Sequence, residues 1–180
     1  MSYTLEQASL LSPYLGDEEI AALFSTEADI AAMLKFEQCM AEAQAETGLI
    51  PHVSAAAIAN AIKSISLDIT LLRSGIARDG MAVPNLVAQL RALLPDSAKE
   101  HLHFGSTSQD VIDTSLMIRS RAAFAILQDR LKLIHESLKS AADQFGHNTL
   151  FARTRMQKAL PASVADRVKA WDAGFQSAAD

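Results

Sequence analysis

The stretch from Ser108 to Phe145 contains neither glycine nor proline, and this constrains the fold more than any other feature of the sequence. At a rise of about 1.5 Å per residue, one uninterrupted helix over this stretch would be longer than about 50 Å. Apolar side chains recur along it at three- and four-residue intervals, which predicts an apolar stripe that packs against partner helices. The members of this stripe are Ile112, Leu116, Ala123, Leu127, Leu131, Ile134, Leu138, Ala141 and Phe145.

The rest of the sequence shows the same periodicity, and no alternating stretch bounded by turn residues indicates a strand. Ser25 or Thr26 is a suitable N-cap for a helix that Gly48 and Pro51 end. Further helices are predicted at 54–64, at 67–78, from near Pro84 to Pro95, and from Pro161 to the end of the chain. The predicted fold class is therefore all-α.

The predicted helices divide the chain into two parts. We expect an N-terminal helical domain over residues 1–105 and, over residues 106–180, the first part of a truncated bundle of long helices. The long helix has at most one candidate partner of its own in this sequence. We therefore expect the chain to be a fragment, with the remaining helices supplied by missing sequence or by other subunits of an oligomer.

Composition narrows the possible functions. Hydrophobic residues make up 49% and charged residues 21%, as in soluble globular proteins. The formal net charge of -5 argues against nucleic-acid binding, which needs a basic surface. No apolar run approaches the roughly 20 residues that span a bilayer, and no signal-peptide pattern is present, so we expect no membrane contact and a cytoplasmic location.

Cysteine and histidine content also limits the chemistry. A single cysteine, Cys39, excludes an internal disulfide and any cysteine-based metal cluster, and we expect it to fill the core. The five histidines have no metal-ligand spacing with one another or with carboxylates, which predicts no metal site.

The segment from His103 to Thr114 concentrates hydroxyl, amide and carboxylate side chains at the predicted start of the long helix. Ser106 and Gln109 have the spacing of a capping box, and Gly105 permits an unusual backbone turn. A helix start offers unpaired N–H groups and a positive dipole end, so an anion could bind there with hydroxyl contacts from Ser106, Thr107 and Ser108. The alternative is an ordinary helix cap that binds nothing.

A second polar cluster is locally basic within an acidic chain. It consists of Arg153, Thr154, Arg155, Gln157 and Lys158. Two guanidinium groups and an ammonium group suit a substrate with several carboxylates, because arginine can hold a carboxylate through two parallel hydrogen bonds. The alternative is a solvated helix face.

Together these residues resemble the fumarase/aspartase superfamily. Its first signature, Gly-x-Thr-Ser-x-Asp-x-x-Asp-Thr, matches the segment from Gly105 to Thr114. Its second, Thr-His-x-Gln-x-Ala-x-Pro after an arginine, matches Arg153 to Pro161 except that Arg155 replaces the histidine. Arginine cannot exchange protons near neutral pH, which argues against the adenylosuccinate lyase branch and favours a cycloisomerase branch.

The resemblance implies an activity and roles for these residues. It implies an enzyme without a cofactor, a small polycarboxylate substrate from protocatechuate breakdown, closure of a lactone, and a helical homotetramer. Thr107, Ser108 and Arg155 would be catalytic. Substrate-binding roles would fall to His103, Ser106, Gln109, Asp110, Arg153, Thr154, Gln157 and Lys158.

The superfamily's third signature, a mobile loop with the catalytic serine, is absent from this sequence. We therefore expect the chain alone to be nearly inactive. Two alternatives stay open: a superfamily lyase that releases fumarate from an adenylosuccinate-like or argininosuccinate-like substrate, and a non-enzymatic helical oligomerisation module.

Overall fold

A computed structural model describes residues 12–179. This part of the chain contains nine helices and one two-stranded antiparallel hairpin. In chain order they are α1 Ser12–Leu15, α2 Glu18–Leu23, α3 Thr26–Glu46, α4 His52–Ser64, α5 Ile69–Asp79, α6 Val83–Ala92, α7 Asp96–Lys99, α8 Ser108–Phe145, β1 Thr149–Thr154, β2 Gln157–Ser163 and α9 Val164–Ala179.

The helical fold class is confirmed. Helix α8 begins at Ser108 and ends at Phe145, the two residues that bound the predicted stretch. Helix α3 is capped by Ser25, whose Oγ accepts a hydrogen bond from the N–H of Ala28 at 3.1 Å. The chain leaves this helix through Gly48, whose φ of +75° is accessible to glycine at little cost.

The described chain forms two compact units, one up to Ala122 and one from Ala123 onward. The first unit contains a core in which Ile58, Leu86, Leu90 and Val111 are fully buried. In this unit α3 packs against α4, and α5 against α6. The predicted domain boundary after residue 105 remains a prediction.

The second unit contains the greater part of α8, the hairpin and α9. Val168 of α9 is buried, and His135 Nδ1 of α8 lies 2.7 Å from Asp172 Oδ1 of α9. This contact ties the two helices together within the unit.

The hairpin corrects the prediction that this region is wholly helical. Pro161 does not open a helix; it lies in β2 opposite Phe151 of β1. Helix α9 begins three residues later, at Val164, where Ser163 and Asp166 form a reciprocal capping box. Proline is compatible with this position because the two-stranded sheet leaves each strand with an unpaired edge.

The prediction that Cys39 fills the core is wrong. Cys39 is exposed on α3 and does not fill the core. Within residues 12–179 no single helix has the length and apolar content needed to cross a membrane, although α4 and α5, bent by 111° at their junction, pass that test of length and composition as a pair.

Candidate active site

The start of α8 has the acidic half of a capping box, at a different position from the predicted one. The N–H of Thr107 donates to Asp110 Oδ2 at 2.9 Å, and the N–H of Asp110 donates to Thr107 O at 3.1 Å. Thr107 and Asp110 thus take the places expected for Ser106 and Gln109. The charged Asp110 suits this place because a carboxylate is a stronger acceptor than an amide and complements the positive end of the helix dipole.

Ser106 and Gln109 therefore make other contacts. The Ser106 hydroxyl lies 3.1 Å from His103 Nδ1 and donates to His103 O at 3.3 Å. The Gln109 side-chain amide donates to Asp113 Oδ1 at 2.6 Å, one turn further along α8. Both side chains are thus engaged within the chain.

Thr107 and Ser108 differ from these neighbours. Within the described part of the chain, neither hydroxyl has a hydrogen-bond partner, and the N–H groups of Ser108 and Gln109 have no acceptor. Thr107 is exposed and Ser108 is half-buried. This helix start therefore presents two backbone donors and two hydroxyl donors to any anion that approaches it.

Acidic side chains limit what this helix start can bind alone. Asp110 and Asp113 are both exposed within the first two turns of α8. Their charges repel an approaching carboxylate and offset the attraction of the helix dipole. Strong binding of a multiply charged anion therefore needs cationic side chains from elsewhere.

His103 lies in the loop before α8 and is held by a buried acid. Its Nδ1 is 2.6 Å from Oε1 of Glu37, an α3 side chain that is only 1% exposed. The imidazole itself is largely buried. Its Nε2 atom has no protein partner among the described residues.

The backbone of this loop has its own anchors. Gln44 Nε2 donates to Phe104 O at 2.7 Å, and the Arg91 guanidinium donates to the carbonyl oxygens of Lys99 and Leu102, both at 3.1 Å. These contacts fix a turn in which His103 and Gly105 have φ values of 61° and 71°.

The second polar cluster lies on the hairpin, where the structure places all five of its residues. Arg153 pairs with Lys158 across the strands, and Thr154 pairs with Gln157. Neighbouring pairs point to opposite faces, so the two cations share one face and Thr154 and Gln157 share the other. Arg155 lies in the turn.

The turn has unusual backbone geometry. Arg155 and Met156 have φ values of 38° and 69°, the left-handed combination of a type I′ turn. Asparagine and glycine are the usual residues there, so an arginine and a methionine hold this turn at a conformational cost. Strain of this kind is commonly found at functional sites.

The cations of the hairpin lack acidic partners. Arg153, Arg155 and Lys158 form no ion pair with the described residues; Lys158 Nζ instead lies 5.2 Å from the centre of the Phe151 ring. Unpaired and exposed, these groups are available to bind carboxylates.

Sequence reasoning missed Glu37 and Gln44 as parts of this region. Glu37 lies four residues from both Met33 and Ala41, which are buried on α3, so it occupies the apolar face of that helix. An acidic residue at such a position is the signal that could have revealed it.

Within the described residues, no group of three or more His, Cys, Asp or Glu side chains could hold a metal ion.

A third polar group also went unnoticed. Asp29 of α3 accepts hydrogen bonds from the Ser115 hydroxyl at 2.7 Å and from Arg119 at 2.8 Å, both on α8. Arg119 also lies over the Phe24 ring, 5.5 Å from its centre. These contacts hold the first turns of α8 against α3 and so fix the direction in which the helix start points.

Comparisons with known proteins place the chain in a family. The Lyase family profile matches residues 17–179. The 3-carboxy-cis,cis-muconate cycloisomerase of Acinetobacter baylyi is 32% identical over 165 residues, which cover 88% of this chain and 36% of that protein. The adenylosuccinate lyase of Methanocaldococcus jannaschii is 31% identical over 161 residues, which cover 88% of this chain and 34% of that protein.

Solved structures agree with the sequence matches. The crystal structure of beta-carboxy-cis,cis-muconate cycloisomerase from Acinetobacter calcoaceticus superposes with a TM-score of 0.88 and 29% identity, covering 96% of this chain and 41% of that one. The chain spans about a third of the length of the curated relatives it matches. It belongs to the Lyase family, in the fumarase/aspartase superfamily.

Proposed function

We propose that these residues are part of an intramolecular lyase that interconverts 3-carboxy-cis,cis-muconate and a carboxymuconolactone. In the forward direction one carboxylate oxygen adds to a carbon of a C=C bond, and the neighbouring carbon takes up a proton. Charge develops on the carboxylate attached to that neighbouring carbon. Donors placed in advance around this carboxylate would lower the barrier.

One observation carries this proposal: the start of α8 has donors without partners. The hydroxyls of Thr107 and Ser108 and the N–H groups of Ser108 and Gln109 are free within the described chain, whereas the neighbouring side chains are engaged. We assign these four donors to the carboxylate on which charge develops.

The remaining carboxylates need cations, because Asp110 and Asp113 make the helix start unfavourable for a trianion by itself. Arg153, Arg155 and Lys158 are unpaired on the hairpin and suit this role. In the assembled enzyme we propose that these three cations bind substrate carboxylates. Thr154 and Gln157, on the other face, would supply hydrogen bonds.

The choice of reaction rests on the relatives and on Arg155. The matched relatives include several 3-carboxy-cis,cis-muconate cycloisomerases and also adenylosuccinate lyases. A permanently charged guanidinium at position 155 can bind a carboxylate but cannot pass a proton near neutral pH. This favours a substrate with an additional carboxylate over one that needs an acid–base group there. We also propose a homo-oligomer, as expected for a site built from several subunits.

A product assay tests the reaction. The complete enzyme is incubated separately with 3-carboxy-cis,cis-muconate, adenylosuccinate and argininosuccinate. Loss of the diene absorbance with formation of a lactone, and no fumarate from the other two, is the expected result. Fumarate release without lactone would establish the alternative lyase activity, and no turnover of any substrate would favour the oligomerisation module.

A substitution tests the role of Arg155. In the complete enzyme, Arg155→Ala removes one two-point contact with a carboxylate, and we expect kcat/KM to fall by roughly a hundredfold. Arg121→Ala, which removes an exposed arginine on α8, is the matched control and should leave kcat/KM unchanged. Equal kinetics for wild type and Arg155→Ala would exclude the assigned role.

A further inference from the structure

We propose that Glu37 is a positioning residue for His103, and that it leaves Nε2 of this imidazole available to the substrate. The inference rests on the proposed function, because it concerns the same polycarboxylate site. It gives helix α3 an indirect part in substrate binding, although Glu37 lies outside both signature segments.

The first argument concerns the cost of burying Glu37. Its side chain is almost fully buried beside Met33 and Ala41, and its Oε2 atom has no hydrogen-bond partner in the described part of the chain. The imidazole of His103 is thus the group that compensates this carboxylate. For stability alone, an apolar side chain of similar size would serve as well or better, since burying a charge is costly.

The second argument concerns what Glu37 holds. Gln44 and Arg91 already fix the backbone of the loop through the carbonyl oxygens of Phe104 and Leu102. Glu37 contacts the imidazole ring and not the backbone. Its contribution is therefore the orientation of one side chain.

The third argument concerns the two nitrogens of the ring. Ser106 Oγ donates its hydrogen to His103 O and lies 3.1 Å from Nδ1, so it faces that nitrogen as an acceptor. Glu37 Oε1 is a second acceptor at 2.6 Å. Two acceptors at one nitrogen place a hydrogen on Nδ1. In the imidazolium form of the ring Nε2 also carries a hydrogen, and this second N–H has no protein acceptor and can donate to a substrate carboxylate.

The consequence is a side chain ordered before substrate arrives. His103 precedes the donors of Thr107 and Ser108 by only a few residues in one anchored loop. An imidazole that is already fixed loses no rotational freedom when a carboxylate binds, so its interaction contributes more to affinity.

A double-mutant cycle in the complete enzyme tests this role. Glu37→Gln keeps the size of the side chain and removes its charge, while His103→Asn removes the imidazole. We expect each single variant to raise KM for the tricarboxylate substrate, and Kd for the probe tricarballylate measured by calorimetry, by about tenfold. The double variant should bind as His103→Asn does, because Glu37 acts only through the ring.

Controls separate positioning from stability. Glu46→Gln neutralises an exposed glutamate on the same helix and should leave KM and Kd unchanged. Thermal unfolding of every variant reports on the fold. If Glu37→Gln does not fold, Glu37→Asp keeps the charge and shortens the side chain, and an intermediate rise in KM is expected.

The outcomes are distinct. An unchanged KM in the folded Glu37→Gln or Glu37→Asp variant would overturn the inference while leaving the proposed function intact. The same would follow if Glu37→Gln reduced the affinity for tricarballylate equally in the wild type and in His103→Asn. A wild-type enzyme that neither binds nor converts any tricarboxylate would overturn both.

Discussion

The turn before α8 contains two residues in the left-handed region of backbone space, His103 and Gly105, and only one of them is glycine. A Cβ atom added at Gly105 would have no atom within 4 Å, so the conformation and not the packing requires glycine there. Left-handed backbone costs an alanine about 1–2 kcal/mol, partly offset by the lower entropy of the unfolded chain.

We therefore predict that Gly105→Ala lowers the free energy of unfolding by about 1 kcal/mol. Gly174→Ala is the matched control, because it lies inside α9, has no positive φ, and its added Cβ would also have open space. There the change should raise the free energy of unfolding by about 0.5–1 kcal/mol, since alanine favours helix. Urea denaturation of both variants measures the two values; a stabilising Gly105→Ala would contradict the assigned conformational role.

At the scale of elements, α8 was predictable to its end residues because sequence features agree along its whole length. It contains no glycine or proline, its apolar residues follow helical spacing, and Gly146 follows its last residue. Its cap was less predictable. Ser106 with Gln109 and Thr107 with Asp110 have the same spacing, and only the backbone geometry distinguishes them.

The hairpin was not predictable by the same reasoning. Its turn residues, Arg155 and Met156, are not the asparagine and glycine that mark a tight turn, and Pro161 within β2 resembles a helix start. The contact between Glu37 and His103 joins residues distant in sequence, so no local pattern contains it. The polar side chains of the site could be found from sequence, but the partners that hold them could not.

The N-terminus of α9 yields a prediction about pH. Hydrogen bonds from the Ser163 hydroxyl, and secondarily from its backbone N–H, lower the pKa of Asp166 below its ordinary value of 3.8. A lowered pKa means that the folded state favours the carboxylate. The stabilisation is therefore present above 3.8 and is lost as the pH falls through the lower, folded-state pKa.

We predict that Asp166→Asn lowers stability at neutral pH, and that this loss becomes smaller as the pH falls below 3.8 and through the lower pKa of the folded wild type. Hydrogen exchange of the amides in the first turn of α9, followed from neutral to acidic pH, measures this directly. Glu136→Gln, at an exposed carboxylate on α8, should not change the pH dependence. An identical acid response in Asp166→Asn and wild type would exclude Ser163 as the source of the stabilisation.

At the scale of the whole molecule, α8 leaves large apolar side chains exposed in the second unit. Phe124 is 64% and Leu127 is 41% exposed, and Ile134 and Phe145 are similarly uncovered. Phe124 and Leu127 are three residues apart, and Ile134 follows Leu127 after seven, so these three side chains lie on one side of the helix. Apolar patches of this kind mark interaction surfaces. Another copy of the chain is the expected partner, in keeping with the proposed homo-oligomer.

The last prediction is that charge on this side of α8 weakens self-association. Burying one large apolar side chain contributes about 1.5–3 kcal/mol, so replacing Phe124 or Leu127 with glutamate should raise the dissociation constant of the oligomer by roughly tenfold or more. Gln128→Glu adds the same charge beside Leu127 at an exposed polar position and should have little effect. Sedimentation velocity over a range of protein concentrations measures the dissociation constants of the wild type and of the three variants. Equal constants for Phe124→Glu and Gln128→Glu would show that net charge, and not this apolar surface, controls assembly. A wild-type chain that stays monomeric at every concentration would contradict the assignment of this surface to self-association.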